Sequence, residues 1–447
     1  MKKDKFNEKF REYARTLSPQ QNERDLISKI YQSFNNLLGV NNCMQIGSYP
    51  RFTAITPVHD LDILYILGNW DENSHDPSVA LQDLNTQINN DYENPTHYEI
   101  KISLQTHSVK VSYLDNDEEI FSVDIVPAYI FSKNEFNEEV YKVPEIVRKK
   151  HGKNRIEYYH RLLQEYREMD WIVSDPRGYI KIASEIDQLT SGEFRKTTKI
   201  IKKWRENLED ADNSLKLKSF HLEQVITKSF QGDQNLEIFD AIFHFFVELP
   251  ETINYPNQIS DRANSDKFID DYLVNFTEEQ KEKIKLARNG FLIKLENLQE
   301  SSSIDELLEI DFHQRKSPEE AFLFDSRIKT FIDGELKFKI DGFVKPLMGF
   351  SAGWLTQTPH LQKGLTQGQE KTREIEFSIR TNNTSASEYR WKVKNNDECE
   401  QPRGEITLDQ TKNNPETTKY IGNHYVECYA IKNGVCVARS KVPVKII

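Results

Sequence analysis

Along residues 5–38, apolar side chains such as Leu26, Ile30 and Phe34 return at helical spacing, which predicts a helical segment with one buried face. The period then shortens. Between 43 and 131 the runs CMQIGS, DLDILYIL, YEIKISLQ, VKVSYL and FSVDIVPAYI are short and β-prone, separated by polar or Pro-containing loops, and predict a mixed sheet. From about 155 to 335 helical spacing returns in RIEYYHRLLQEYREMDWI, GYIKIASEIDQL, EFRKTTKIIKKWRENLED, SFHLEQVITKSF, NLEIFDAIFHFFVEL and TEEQKEKIKLARNGFLIKLENLQE, a helical lobe. Residues 341–370, rich in Gly, Pro, Thr and Gln, read as a boundary or linker. The last stretch, with REIEFSIRT, YRWKVKN, YIGNHYVECYAI and VCVARSKVPVKI, has the turn-punctuated strands of a small β-sandwich. Asn433-Gly434 predicts a two-residue hairpin turn that pairs residue 428 with 439 and 436 with 431. Cys428 and Cys436 then fall on opposite faces of the ribbon and do not form a disulfide. The order of elements defines an α+β chain.

Composition narrows the class. A length of 447 residues implies two or three domains, and 37% hydrophobic residues with 25 Phe and 19 Tyr supply packed interiors rather than disorder. The four cysteines, Cys43, Cys399, Cys428 and Cys436, show neither a C-x-x-C pair nor a Cys/His cluster at zinc spacing, which fits a reduced cytoplasm. The N-terminal MKKDKFNEKFREYARTL lacks the apolar region of a secretion signal, and no run is long enough to span a membrane, so a cytoplasmic protein with no membrane partner is expected. A net charge of -12 argues against strong binding to duplex DNA, although RKTTKIIKKWR at 195–205 is a local basic patch.

The chemistry concentrates in QIGSYPRFTAITPVHDLDILYIL, residues 45–67. Residues two apart on a strand share a face, so Asp60 and Asp62 project together while Leu61 and Ile63 point the other way. Two carboxylates on one face repel unless a cation lies between them, and hard oxygen donors suit magnesium. Gly47-Ser48 ends the preceding strand at a turn, where backbone N–H groups and a hydroxyl suit a phosphate. FSVDIVPAYI adds Asp124 among apolar residues, where an unpaired charge is costly. Three carboxylates beside a phosphate-gripping turn meet the needs of two-metal nucleotidyl transfer.

GSYPRFTAITPVHDLDILYIL followed by VDIVPAY resembles the polymerase-β-like nucleotidyltransferases, and within them the cGAS/DncV-like group that includes the oligoadenylate synthetases and bacterial SMODS enzymes. Gly47, Ser48, Tyr49, Arg51, Thr53, Ala54, Ile55, Asp60, Asp62 and Asp124 match that pattern, and Phe52 stands where the family has Gly. FRKTTKIIKKWRE is similar to the stretch carrying the family's phosphate-binding Lys, here Lys202, although Arg195, Lys199 and Lys202 also form a basic helical stripe. LKSFHLEQVI is similar to the segment supplying a Ser to the triphosphate and a ring to the base, here Ser219 and Phe220; Ser219 also suits a helix N-cap, and Phe220 a core position. FKIDGFVKPLMGFSAGW, YRWKVKN, RGEI and YIGNHYVECYAIKNGVCVA look like the adenylyl/guanylyl cyclase and SMODS C-terminal sensor domain, in which Tyr389, Tyr420, Tyr425 and Tyr429 read as sandwich residues.

The resemblance implies a nucleotidyltransferase core with its N-terminal helix at 1–175, an oligoadenylate-synthetase-like helical lobe at 176–336 and a sensor-like β domain at 337–447. It implies catalysis and metal binding by Asp60, Asp62 and Asp124 with two Mg2+ ions, or Mn2+, and nucleotide binding by Gly47, Ser48, Arg51, Thr53, Lys202, Ser219 and Phe220. The partners implied are ATP or other nucleoside triphosphates, ribo or deoxyribo, and an effector protein reached through the nucleotide product. The implied activity is template-independent synthesis of a cyclic di- or trinucleotide signal in bacterial anti-phage defence. Linear RNA or DNA oligomers, as from oligoadenylate synthetases or Hailong-type enzymes, and a catalytically inactive nucleotide sensor are the alternatives.

Overall fold

The computed structural model describes residues 2–146, 169–347, 349, 351–365, 372–408 and 414–447. By packing, the chain divides into two units: Phe10–Ile242 with Thr252–Phe276, and Met1–Lys9 with Phe243–Glu251 and Thr277–Ile447. These bounds differ from the three segments expected, because the strands and the first helices of the lobe share one set of contacts.

The leading helical stretch is two helices, α1 (Lys2–Thr16) and α2 (Gln21–Leu38). Pro19 lies in the break, and Gln20 and Glu23 form a capping box that starts α2. The same Glu23 carboxylate accepts from Thr56 Oγ1 and Val58 N, both at 2.8 Å, and so fixes the chain just before the next strand.

A seven-stranded mixed sheet comes next. It comprises β1 (Cys43–Ile46), β2 (Asp60–Asn69), β3 (Glu99–Leu104), β4 (Val109–Asp115), β5 (Glu118–Lys133), β6 (Glu139–Ile146) and β7 (Met169–Ser174). The order is β1-β2-β5-β4-β3, with β6 pairing the far half of β5 and β7 pairing β6. Among the described residues of this sheet, only β2 and β5 run parallel. One face is the core: Leu61, Ile63, Val123 and Ile125 pack with Ile30 and Phe34 of α2 and with Leu81 and Leu84 of α3 (Pro77–Asp91). The aspartates lie on the other face, where Leu64, Val126 and Ala128 build a smaller apolar cluster farther along the same strands.

Strands β6 and β7 correct the helical reading of 155–172. The part of RIEYYHRLLQEYREMDWI before Met169 lies outside the described residues, and MDWIVS is a strand whose Trp171 and Ile172 pair with Pro144 and Val143. The β-prone Trp-Ile-Val run outweighs the helical period that precedes it. Helices α4 (Pro176–Leu189), α5 (Glu193–Ala211), α6 (Ser219–Gly232) and α7 (Ile238–Asn254) then form as expected. Asp175 caps α4 through Gly178 N at 2.8 Å, with Pro176 in the first turn.

The second unit holds α8 (Glu278–Glu296), capped by Thr277 and Gln280, then α9 (Ile304–Leu308) and a β-sandwich. The sandwich strands are β8 (Lys329–Thr330), β9 (Phe338–Val344), β10 (Gly353–Trp354), β11 (Glu374–Asn382), β12 (Glu388–Lys394), β13 (Arg403–Leu408), β14 (Glu416–Thr417), β15 (Gly422–Lys432) and β16 (Val435–Ile446), with α10 (Pro359–Lys363) after β10. Sheets ordered β10-β9-β11-β14 and β13-β12-β15-β16-β8 enclose Phe338, Ile340, Phe377, Trp391, Cys428 and Val442. The expected linker at 341–370 is therefore corrected at its start, because Asp341–Val344 belongs to a central strand. Gly342 is a packing position there: a Cβ would meet Leu355, Phe377 and Ile375 at 2.8–2.9 Å.

The Asn433-Gly434 hairpin forms with residue 431 opposite 436, as expected, but Cys428 faces Ser440 and not Arg439. A bulge between Ala430 and Ile431 shifts the register by one residue. Cys428 remains in the sandwich interior and Cys436 in a cluster with Leu323 and Tyr429, and neither is in a disulfide. Among the described residues, no helix is long and apolar enough to cross a membrane.

Candidate active site

The site is built on the parallel pair β2 and β5. Register sets Asp60 opposite Ser122 and Asp62 opposite Asp124, while Leu61, Ile63, Val123 and Ile125 anchor both strands in the core behind them. Ile46, the last residue of β1, is the antiparallel partner of Asp62, so the chain turns at Gly47 directly beside that carboxylate. Gly47 has φ +77°, and a Cβ added to it would lie 1.9 Å from Asp62 Oδ2. Only glycine fits that approach.

Negative charge accumulates here. Burial pushes Asp62 up to about 7, with Asp60 and Asp124 adding to the rise and Arg51 and Lys202 opposing it. Asp124 is raised as well, chiefly by burial, against the pull of His107 and Lys110. Ser108 Oγ donates to Asp124 Oδ1 at 3.4 Å. Three hard carboxylates are donors of the kind a magnesium-type ion takes. Among the described residues, however, no three His, Cys, Asp or Glu side chains converge into a set that could hold a metal. The donor chemistry and the shared face fit the ion, and the side chains stand apart.

From Gly47 the chain makes a compact loop. Thr53 N donates to Ser48 O at 3.1 Å and Phe52 N to Tyr49 O at 2.9 Å. Phe52 has φ 59°, a left-handed backbone that glycine adopts freely, which accounts for Gly at this place in the family pattern. Its ring is exposed and lies under the Arg195 guanidinium at 4.7 Å, while Arg195 Nε donates to Arg51 O at 2.9 Å. The bulky residue is thus accommodated at the surface, with Arg195 holding both the ring and the loop.

Arg51, Thr53 and Lys202 meet on one residue that sequence reading missed, Glu223 of α6. Arg51 Nε reaches Glu223 Oε1 at 2.5 Å, Thr53 Oγ1 donates to Oε2 at 2.8 Å, and Lys202 Nζ lies 3.1 Å from Oε2. Lys202 Nζ also donates to Thr53 O at 3.0 Å and to Thr53 Oγ1 at 3.2 Å, so all three of its N–H bonds have partners. Glu223 is fully buried; burial alone would raise its carboxyl, but Arg51 and Lys202 outweigh it and hold the group at about 2. The signal was an acid next to the buried Leu222, Ile226 and Phe230 stripe of α6, where an unpaired charge is costly.

Phe220, in the first turn of α6, places its ring 5.1 Å from the Arg51 guanidinium and edge-on to Tyr179 at 4.9 Å. It also borders a cavity of about 850 Å3 with Lys218, His221 and Asp261. Ser219 is the first residue of α6, not its N-cap, and makes no hydrogen bond to the other candidate residues among those described. The strands thus gather Gly47, Asp60, Asp62 and Asp124, and the loop links Ser48, Arg51 and Thr53 to Lys202 and Phe220.

Residues 357–447 match the family model described as the adenylyl/guanylyl and SMODS C-terminal sensor domain. A comparison with curated proteins finds no match. Among solved structures the chain is similar to Escherichia coli CdnC with ATP, at 16% identity over 69% of this chain and 99% of that one, TM-score 0.48. It is similar also to Escherichia coli DncV in a 3'-deoxy GTP bound form, at 16% identity over 68% and 78%, TM-score 0.43. A third is the Rhodothermus marinus CdnE c-UMP-AMP synthase, at 12% identity over 62% and 93%, TM-score 0.38. The mixed sheet with its helices is an α+β arrangement, as the order of elements predicts. Residues 357–447 thus carry the sensor-domain match, and they lie in the unit that holds the sandwich.

Proposed function

We propose that the protein is a template-independent, metal-dependent nucleotidyltransferase that joins nucleoside triphosphates into a nucleotide second messenger, a cyclic di- or trinucleotide, in cytoplasmic anti-phage signalling. The observation that carries this reading is the placement of Asp62 opposite Asp124, with Asp60 on the same face and Gly47 turning against Asp62.

Asp60, Asp62 and Asp124 would hold magnesium or manganese, which supplies charge neutralisation to the triphosphate and acidity to the attacking hydroxyl. The Gly47-Ser48 turn offers backbone N–H groups and a hydroxyl to the donor phosphates, and Ser219 a second hydroxyl. Phe220 offers a ring face to the base. Asp124, its proton affinity raised by burial, takes the proton of the acceptor hydroxyl as that oxygen attacks the α-phosphorus and pyrophosphate leaves. Lys202 contributes positive charge beside Asp62, and a direct bond to phosphate requires it to give up one contact to Thr53 or Glu223.

The test is incubation with each NTP and dNTP, phosphatase treatment and mass spectrometry of the products. A phosphatase-resistant ring of two or three nucleotides is expected. A ladder of lengths would instead establish a linear-oligomer synthase, and no pyrophosphate with any substrate would leave a nucleotide sensor.

A further inference from the structure

On β15, Val426, Cys428 and Ala430 fill the sandwich interior, so Tyr425, Glu427 and Tyr429 stand on the other face of the five-stranded sheet. Register lays a row of alternating charge across three strands on that face. Lys392 of β12 is opposite Glu427, and Glu427 is opposite Lys441 of β16; in the next row Arg439 is opposite Tyr429. The last turn of α8 and its cap bring Glu296 and Asn297 over these rows, leaving a cavity of about 470 Å3. Glu296, Asn297 and Arg439 also border a second cavity of about 420 Å3.

Most charges in the cavity have internal partners. Lys392 Nζ donates to Ala321 O at 2.7 Å and lies 4.4 Å over the Phe322 ring, Lys441 lies 3.5 Å over Tyr425, and Tyr429 OH donates to Glu427 Oε2 at 2.9 Å. Two groups are less fully partnered. Glu296 Oε2 is buried with no hydrogen-bond partner of its own, and burial pushes the carboxyl up to about 7 against the pull of Arg439, Lys392 and the Leu323 backbone. The Arg439 guanidinium in turn forms neither an ion pair nor a hydrogen bond among the described residues. The buried Glu296 oxygen is costly without a donor, and the half-exposed Arg439 guanidinium beside the same cavity has no bonded acceptor among the described residues and can take one from a ligand.

That ligand needs an anionic group for Arg439 and N–H donors for Glu296. Lys392, Arg439 and Lys441 outnumber Glu296 and Glu427 in the lining, which suits an anionic group, and the Tyr425 ring suits a flat heterocycle. A volume in this range accommodates a ligand of that size. We propose that this cavity binds a nucleotide, with phosphate on Arg439 and Lys441 and base N–H groups on Glu296, forming a second nucleotide site built wholly within the unit that holds the sandwich.

The full-length protein is crosslinked by ultraviolet light to radiolabelled ATP, GTP, CTP and UTP in turn, and labelled peptides are mapped by mass spectrometry. At least one nucleotide is expected to label β12, β15 or β16, and excess of the same unlabelled nucleotide removes that label. Arg439→Ala reduces it about tenfold or more, as does Lys441→Ala, whose exposed side chain the fold does not require. Asp62→Asn leaves it in place. No label on these strands with any of the four, label unchanged in both variants, or label lost with Asp62→Asn overturns the proposal. Inorganic triphosphate displacing the label as effectively as the nucleotide overturns the contact between base and Glu296.

Discussion

Gly47 lies so close to Asp62 that one methyl group on its Cα would sit 1.9 Å from Oδ2 of the carboxylate. Backbone and side chain have been brought together where phosphate and metal chemistry would meet, and the left-handed φ of +77° keeps other residues out. Gly47→Ala should therefore reduce pyrophosphate release about a hundredfold or more, because either the turn or Asp62 has to move. The fold should persist with a loss of about 1–2 kcal/mol, the cost of left-handed alanine. Steady-state kinetics and urea unfolding on the same preparation check both.

Removing one acid should separate activity from stability. Asp62→Asn is expected to cut turnover about a thousandfold or more and, in metal-free buffer at pH 8, to raise the melting temperature by about 2 °C or more. The sign comes from the raised affinity of Asp62 for its proton. The penalty is absent below about pH 4, where folded and unfolded chains both keep the proton. It grows as pH rises towards about 7 and is full above that. A melting-temperature difference that does not grow between pH 5 and pH 8 contradicts this account.

Glu223→Gln leaves Arg51 and Lys202 buried without their counter-charge, and a loss of about 3–5 kcal/mol at pH 7 is expected from urea unfolding. Glu223 is held at about 2, below its unfolded value. Its contribution is thus complete above about pH 4.3 and is lost as pH falls through about 2. The stability gap between wild type and variant should narrow over that acid window and stay constant from pH 5 to pH 7.

Phe52 sets a small contest between backbone and ring. Phe52→Gly releases about 1 kcal/mol of left-handed strain and loses a ring–guanidinium contact of about 0.5–1 kcal/mol, so its stability should stay close to wild type. Phe52→Ala keeps the strain and loses the contact, and should melt below both. Calorimetry of the three proteins gives the order.

The strands of the site were legible because period-two alternation places Asp60, Asp62 and Asp124 opposite the core-forming Leu61, Ile63 and Val123 without any knowledge of partners. Glu223 was not, since its meaning depends on Arg51 and Thr53, 172 and 170 residues earlier. The strand Glu139–Ile146 was hidden by Glu, Lys and Pro within it, and the Cys428 register by a bulge that no turn motif announces. Phe52 as the outlier of the loop could be seen from the sequence, whereas the Arg195 contact that holds its ring could not.

The face of β2 and β5 that carries the acids turns aliphatic at Leu64 and Val126, two residues beyond Asp62 and Asp124. Polarity along this strand pair is therefore encoded by reading frame. A residue inserted in the loop between Gly47 and Asp60 lengthens a turn, but one inserted between Asp60 and Leu64 inverts the frame for the remainder of the strand, sending carboxylate into the core or leucine into the site. Chain-length variation among enzymes built on this strand pair should accumulate in the loop and stop at the first aspartate.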